Sequence, residues 1–383
     1  MGTGISGTGI AATGIVVVGG GLAGGAAACR LAQAGCPVRL FERETRPVDK
    51  ICGEFLSNGA QLHLRRLGLD PAALGGQPIE RLRLVRGDRV VESALPFQAL
   101  GLSRRVLDEA LLRHAAGCGA EIARGRTVSL VAGDRLALDT GAGLLHPETL
   151  FLASGKHDLR GIRRAAEAPE QLVGFKTYFA LAPAQQRALE GHIEVILLPD
   201  GYAGLQLVEG GRANLCLLTR RSRLHRAGGT WAGLLAGLTG EVGHLRRRLE
   251  GADDMLERPL TIFRVPYGFV HRAQPGDRPE VFRLGDQMAV IPSFAGDGMA
   301  IALHSAAVAA AAHLAGETSA AFHRRITADI ARQIRGTHAL YRFARWLPGQ
   351  ALLMGAARLW PGLLRQAAAL SRVPPAALRR ATG

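Results

Sequence analysis

Cysteine is scarce in this chain and follows no pattern. The five cysteines, at positions 29, 36, 52, 118 and 216 of 383, form no C-x-x-C pair and leave an odd thiol. That argues against a disulfide scaffold and a regular zinc motif, and fits a reducing cytoplasm. Lysine is scarcer: of 47 basic residues only Lys50, Lys156 and Lys176 are lysines. The arginines are spread along an alanine- and glycine-rich chain and do not form a basic block interleaved with aromatics. The net charge of +15 is therefore read as compositional bias and not as a nucleic-acid footprint. An anionic cofactor, substrate or membrane surface stays compatible with it. No apolar run reaches the length of about 18 residues that a spanning helix needs. The 50 glycines show no triplet period, which excludes collagen, and a 48% hydrophobic content excludes wholesale disorder. Residues 1–13, rich in glycine and threonine without a basic start, read as a disordered tail and not as a secretory signal. The expected location is cytoplasmic.

What is present begins with Ile15-Val16-Val17-Val18, a β-branched run suited to a strand buried on both faces. It runs into Gly19-Gly20-Gly21-Leu22-Ala23-Gly24, then a small-residue helix to Gln33, then a second strand from Pro37 ending at Glu42. The length, about thirty residues, is that of a βαβ unit. A loop is expected from Glu44 to about Ala60, followed by strands over 81–95 and an amphipathic helix opening at Ser103. Further strands are expected near 126–131, 135–138 and 149–153, then a strand-rich region over 171–220. A last strand at Val281–Leu284 precedes a long small-residue helix from Met299. Residues 320–383 read as several amphipathic helices.

The Gly19-x-Gly21-x-x-Gly24 spacing has a physical meaning in this strand-to-helix context. Gly19 permits the tight turn, Gly21 lets backbone amides approach a pyrophosphate, and Gly24 lets the helix pack on the strand. Leu22 and Ala23 place their amides at the helix N-terminus, where the dipole favours an anion. Glu42, followed by Arg43, ends the second strand where a carboxylate can accept from ribose hydroxyls. A dinucleotide is expected here.

A second group of residues, Gly285-Asp286 and then Gly296-Asp297-Gly298-Met299, resembles the distal FAD motif of flavoprotein hydroxylases and geranylgeranyl reductases. Arg104, four residues before Asp108, resembles that family's helix-opening arginine, and Val128 the strand residue that meets adenine. Lys50-Ile51-Cys52-Gly53-Glu54 looks like the K-x-C-G-[GE] loop of geranylgeranyl reductases and halogenase-like relatives. Together they resemble the superfamily of geranylgeranyl reductases and p-hydroxybenzoate hydroxylase-like monooxygenases over residues 14–315. The resemblance implies an α/β fold: a Rossmann-like FAD-binding domain of glutathione reductase type, an inserted mainly antiparallel substrate domain and a helical C-terminal tail. The implied division is 14–80, 100–165 and 275–318 for FAD, 81–99 with 166–274 for substrate, and 319–383 for the tail. FAD is the implied cofactor, and NADPH, NADH or a separate donor protein would supply electrons.

The departures matter. Ala153-Ser154-Gly155 stands where hydroxylases carry Ala-Asp-Gly, so direct NADPH use is not carried over from that stretch. Gly201-Tyr202-Ala203-Gly204-Leu205 keeps a tyrosine but lacks the tryptophans and proline of halogenases, which disfavours a standard halogenase. Cys52 and Glu54 are the candidate catalytic groups and Tyr202 a candidate pocket residue; each also has a structural reading, and no metal site is expected. The favoured activity is monooxygenation of a hydrophobic, aromatic or polyketide-like small molecule. Reduction of a carbon–carbon double bond is the alternative, and a non-enzymatic flavin-binding, membrane-peripheral protein a third reading. The Tyr341–Leu370 segment, with arginines among Trp346, Leu352 and Trp360, suits an acidic membrane surface or a helical arm packed on the substrate domain.

Overall fold

The computed structural model describes residues 13–164, 171–263 and 266–382, so the expected tail lies outside the described residues apart from Thr13, which opens the first strand. A five-stranded parallel sheet runs in the order Val281–Arg283, Pro147–Leu152, Thr13–Val18, Val38–Glu42, Glu121–Arg124. Alternation decides its two faces. Ile15 and Val17 pack with the helices Leu22–Gln33, Arg104–Gly117 and Gly298–Leu314, while Val16 and Val18 face a cluster containing Val128, Leu136 and Leu138. Leu138 of that second cluster, with Leu130 and Leu145 packed against it, comes from a three-stranded sheet of Ser129–Val131, Ala137–Asp139 and Leu144–Leu145. With both faces covered, a parallel sheet can be apolar throughout.

A nine-stranded sheet stands beside it. Its central order is Leu172–Ala180, Ala213–Arg220, Gly201–Leu207, Gly191–Leu198, Gln77–Arg86, Arg89–Gly101, Phe55–Leu56. Neighbours are antiparallel except Gly191–Leu198 on Gln77–Arg86. One face is covered by Arg221–Arg226, Trp231–Glu241 and Gly243–Arg248, and against the other lie Leu347–Leu359 and Gly362–Leu370.

Two local expectations are corrected. The loop expected over 44–60 contains the Phe55–Leu56 strand and the start of a helix, Asn58–Arg66. A two-residue strand has no periodicity; it exists because Leu100–Gly101 offers it a ladder. The Glu121–Arg124 strand was not expected because it is a half-exposed edge with a polar sequence.

Candidate active site

The glycine loop is shaped by close approaches that allow no side chain. Gly19 has φ +105°, and a Cβ there would lie 2.4 Å from the Ala153 carbonyl oxygen. A Cβ on Gly24 would sit 1.8 Å from the Gly19 oxygen, so the helix rests directly on the strand end. Gly21 caps the helix with no side chain bonded to its first-turn amides. Those donors, at Leu22 and Ala23, border a cleft of about 880 Å³. Glu42 is buried beside them and accepts from Gly20 N at 2.6 Å and Glu44 N at 3.0 Å, which fixes its carboxylate at the rim. Arg43 and Val128 line the same cleft.

The second motif reaches this place from more than 250 residues away. Gly285 takes φ +55°, and its backbone lies against Ala23, where an added Cβ would be 3.2 Å from the alanine methyl. This turn carries Asp286 into the cleft wall. Gly296 adopts a left-handed conformation and Asp297 caps the Gly298–Leu314 helix. The Asp297 carboxylate is buried and turned away from its own helix. It accepts from Ser57 Oγ at 2.7 Å, Arg372 Nη1 at 2.9 Å, Val373 N at 3.0 Å and Gln333 Nε2 at 2.5 Å. The amides of Gly298 and Met299 are thereby left without a side-chain cap beside the cleft. Arg104 completes this wall, in a bidentate pair with Asp108 at 2.7 and 2.8 Å. Glycine cradles, open helix N-termini and a rim carboxylate fit a dinucleotide.

The Lys50–Glu54 loop forms the next stretch of the lining. Glu54 has φ 59°, a left-handed conformation unusual for a side-chain-bearing residue, and is fully buried. Its carboxylate is bonded to Lys176 Nζ, to Tyr178 Oη at 2.9 and 3.0 Å, and to Arg104 N at 2.8 Å. Gln206 Nε2 donates to its carbonyl at 2.8 Å, and Asn214 Nδ2 to the Gly53 carbonyl at 3.0 Å. Burial pushes the Glu54 carboxyl above its ordinary value, and the Lys176 ammonium pulls it back without cancelling the rise. With its oxygens committed to three donors, Glu54 is set as an anchor for this loop. Cys52 borders the cleft, its Sγ accepting from Glu54 N at 3.3 Å.

All three lysines converge on this loop. Lys50 faces Asp108 at 3.5 Å, Lys156 Nζ donates to the Ile51 carbonyl at 2.9 Å, and Lys176 Nζ to the Lys50 carbonyl at 3.0 Å. Where arginine is the default cation, lysine stands where a compact ammonium must reach single oxygens. That rarity was the available sequence signal for Lys156 and Lys176, which motif reasoning missed.

Beyond the loop the cleft becomes apolar. Leu82, Leu84, Val195, Tyr202, Ile262, Phe294 and Leu353 line it. Tyr202 shares hydrogen bonds with Ser293 and, at 3.4 Å, with Tyr267. Burial drives the Tyr202 hydroxyl well above its ordinary value, so it stays protonated. Tyr267, Ser293 and the cleft-lining Arg372, whose guanidinium lies over the rings of Phe55 and Phe97, carried no motif.

A family profile described as an NAD(P)-binding Rossmann-like domain matches residues 17–48. Among solved structures, the flavin-dependent brominase Bmp2 has a TM-score of 0.75 at 17% identity, covering 93% of this chain and 92% of Bmp2. The fold is shared with flavin-dependent enzymes. A flavoprotein/dehydrogenase from Cytophaga hutchinsonii gives 0.71 at 18% identity, over 86% of this chain and 85% of its own. PqsL from Pseudomonas aeruginosa, a probable FAD-dependent monooxygenase, gives 0.68 at 17% identity, over 88% and 98%. No curated protein sequence matches significantly. The α/β architecture, with its parallel Rossmann-like sheet, added antiparallel sheet and helical C-terminus, is the one the sequence led us to expect.

Proposed function

We propose that the protein is an FAD-dependent monooxygenase acting on a hydrophobic small molecule. One observation carries this reading: a single cleft joins the dinucleotide cradle at Gly19–Gly24 to an apolar chamber between the large sheet and the C-terminal helices. FAD, when bound, supplies the electrons that activate O2 for transfer of one oxygen atom to substrate carbon. The chain's own residues bind and orient. The Gly21–Ala23 amides would receive the pyrophosphate, Glu42 the adenosine ribose, Val128 the adenine and Asp286 the ribityl chain. The N-terminus of the Gly298–Leu314 helix would face the pyrimidine end of the flavin, where its dipole favours negative charge. The apolar walls exclude water, and the hydroxyls of Tyr202, Tyr267 and Ser293 offer the substrate a polar contact in an otherwise greasy chamber.

Asp286→Ala tests the cofactor reading. Purified protein should carry FAD, and the variant should hold clearly less of it at equal thermal stability; unchanged occupancy refutes the placement of Asp286. Turnover under labelled O2 tests the reaction. Label in the product is expected, whereas a product reduced at a carbon–carbon bond without label would establish the reductase activity. Anaerobic bleaching of the flavin by NADPH or NADH would identify the donor, and retained colour would call for a donor protein or prior substrate binding.

A further inference from the structure

Two observations meet on the C-terminal helices. Among the described residues, seven of the twelve exposed large hydrophobic side chains fall between positions 343 and 370. Apolar area left in water is thus concentrated on one small part of the molecule. Leu359 is 90% exposed, Leu370 71%, Leu352 60%, Trp346 56% and Trp360 53%. The inner side of the same helices is already used, with Met354, Ala357 and Leu364 buried against Leu84 and Leu197. A surface helix with one core face normally turns a polar face outward. Here the outward side carries Leu352, Leu359 and Leu370 among the polar residues.

The second observation is charge. From Ile330 to Gly383 the chain contains nine arginines and no aspartate or glutamate. Arg342, Arg358 and Arg365 are exposed in the same segment as Trp346, Leu359 and Trp360. Exposed leucine and tryptophan with arginine and no acid is the surface that partitions into a bilayer interface bearing acidic headgroups. A second copy of this chain would instead bring the same positive charge to the same face. Among the described residues no helix is long and apolar enough to cross a membrane.

We propose that Leu347–Leu359 and Gly362–Leu370 seat the protein on an anionic bilayer, and that the substrate enters the cleft through these helices. The same two helices supply Leu353, Leu364, Ala367 and Ala368 to the cleft wall, so one element touches both lipid and chamber. The entry route rests on the reading of the cleft given above; the membrane seat does not. The substrate class that follows is an apolar molecule that partitions into the bilayer.

Flotation of the full chain with phosphatidylcholine vesicles, with and without phosphatidylglycerol, tests this. The protein should rise with the anionic vesicles and much less with the neutral ones. Leu359→Glu/Trp360→Glu, two exposed positions outside the cleft, should bind at least about tenfold more weakly, with unchanged elution volume and FAD content. No flotation with anionic vesicles, or equal flotation of the variant, overturns the membrane seat. So does a dimer that the variant dissolves in the absence of vesicle binding, which would give the face to a second copy. FAD content is read on the same samples. Bound FAD without flotation removes the membrane seat alone, and flotation without FAD removes the cofactor reading and with it the entry route.

Discussion

Replacing Lys176 with methionine asks whether the Lys50–Glu54 loop is held by charge. Both the Lys176 and Glu54 side chains are 0% exposed, and the ammonium also bonds Tyr178 Oη at 2.8 Å and the Lys50 carbonyl. The variant keeps most of the volume and leaves the Glu54 carboxylate buried without its cation. Breaking a buried pair from one side costs about 3–5 kcal/mol. At roughly 2 °C per kcal/mol for a unit of this size, the thermal midpoint should fall by about 6–10 °C. The pH dependence separates this cause from loose packing. The Glu54 carboxyl titrates above its ordinary 4.5 in the fold, burial outweighing Lys176. A carboxyl raised in this way favours the fold at low pH, and that contribution is lost as pH rises through the folded value. Removing the ammonium lifts the folded value further, so the penalty should be larger at about pH 8 than at about pH 5. Glu54→Gln/Lys176→Met should recover a large part of the loss, because no unpaired charge remains buried. Differential scanning fluorimetry of the four proteins at both pH values measures this cycle. A penalty below about 1 kcal/mol, a penalty flat in pH, or simple additivity would refute the anchor.

Other outcomes follow from the same geometry. Gly24→Ala places a methyl 1.8 Å from the Gly19 oxygen and should cost about 3 kcal/mol together with cofactor binding. Gly117→Ala, where a methyl meets nothing within 4 Å, should leave the midpoint unchanged or slightly raised, and equal losses in the two variants would sink the close-packing account. His63 is buried with both ring nitrogens unpartnered, and burial, reinforced by His304, holds it down to about 3 from an ordinary 6.5. A histidine depressed in this way adds stability above pH 6.5 that is lost as pH falls toward 3. The thermal midpoint should therefore drop on acidification, and His63→Phe should flatten that drop; an identical profile in the variant would place the acid sensitivity elsewhere.

The parts of the site that were readable in the sequence are those whose physics is local. Gly19, Gly21 and Gly24 act within one strand-to-helix turn, Glu42 ends the strand beside it, and Arg104 meets Asp108 one helical turn on. Periodicity and glycine spacing report such contacts because chain geometry alone brings the groups together. The strand-rich stretch over 171–220 was readable for the same reason, as was the small-residue helix after Asp297.

What the tertiary structure decided are the pairings between distant segments. Glu54 reads equally as a catalytic acid or a loop carboxylate until Lys176, 122 residues on, is placed against it. Tyr202 and Ser293 share a hydrogen bond across 91 residues, and Arg372 reaches Asp297 across 75. Pattern offered both a membrane face and a packed arm for the last helices but not which side chains face out, since Leu353 and Leu359 look alike until one lines the cleft and the other stands in solvent. Composition and spacing determine which groups are available. Their protonation, exposure and partners depend on desolvation and contact, which exist only once the sheets and helices have closed around them.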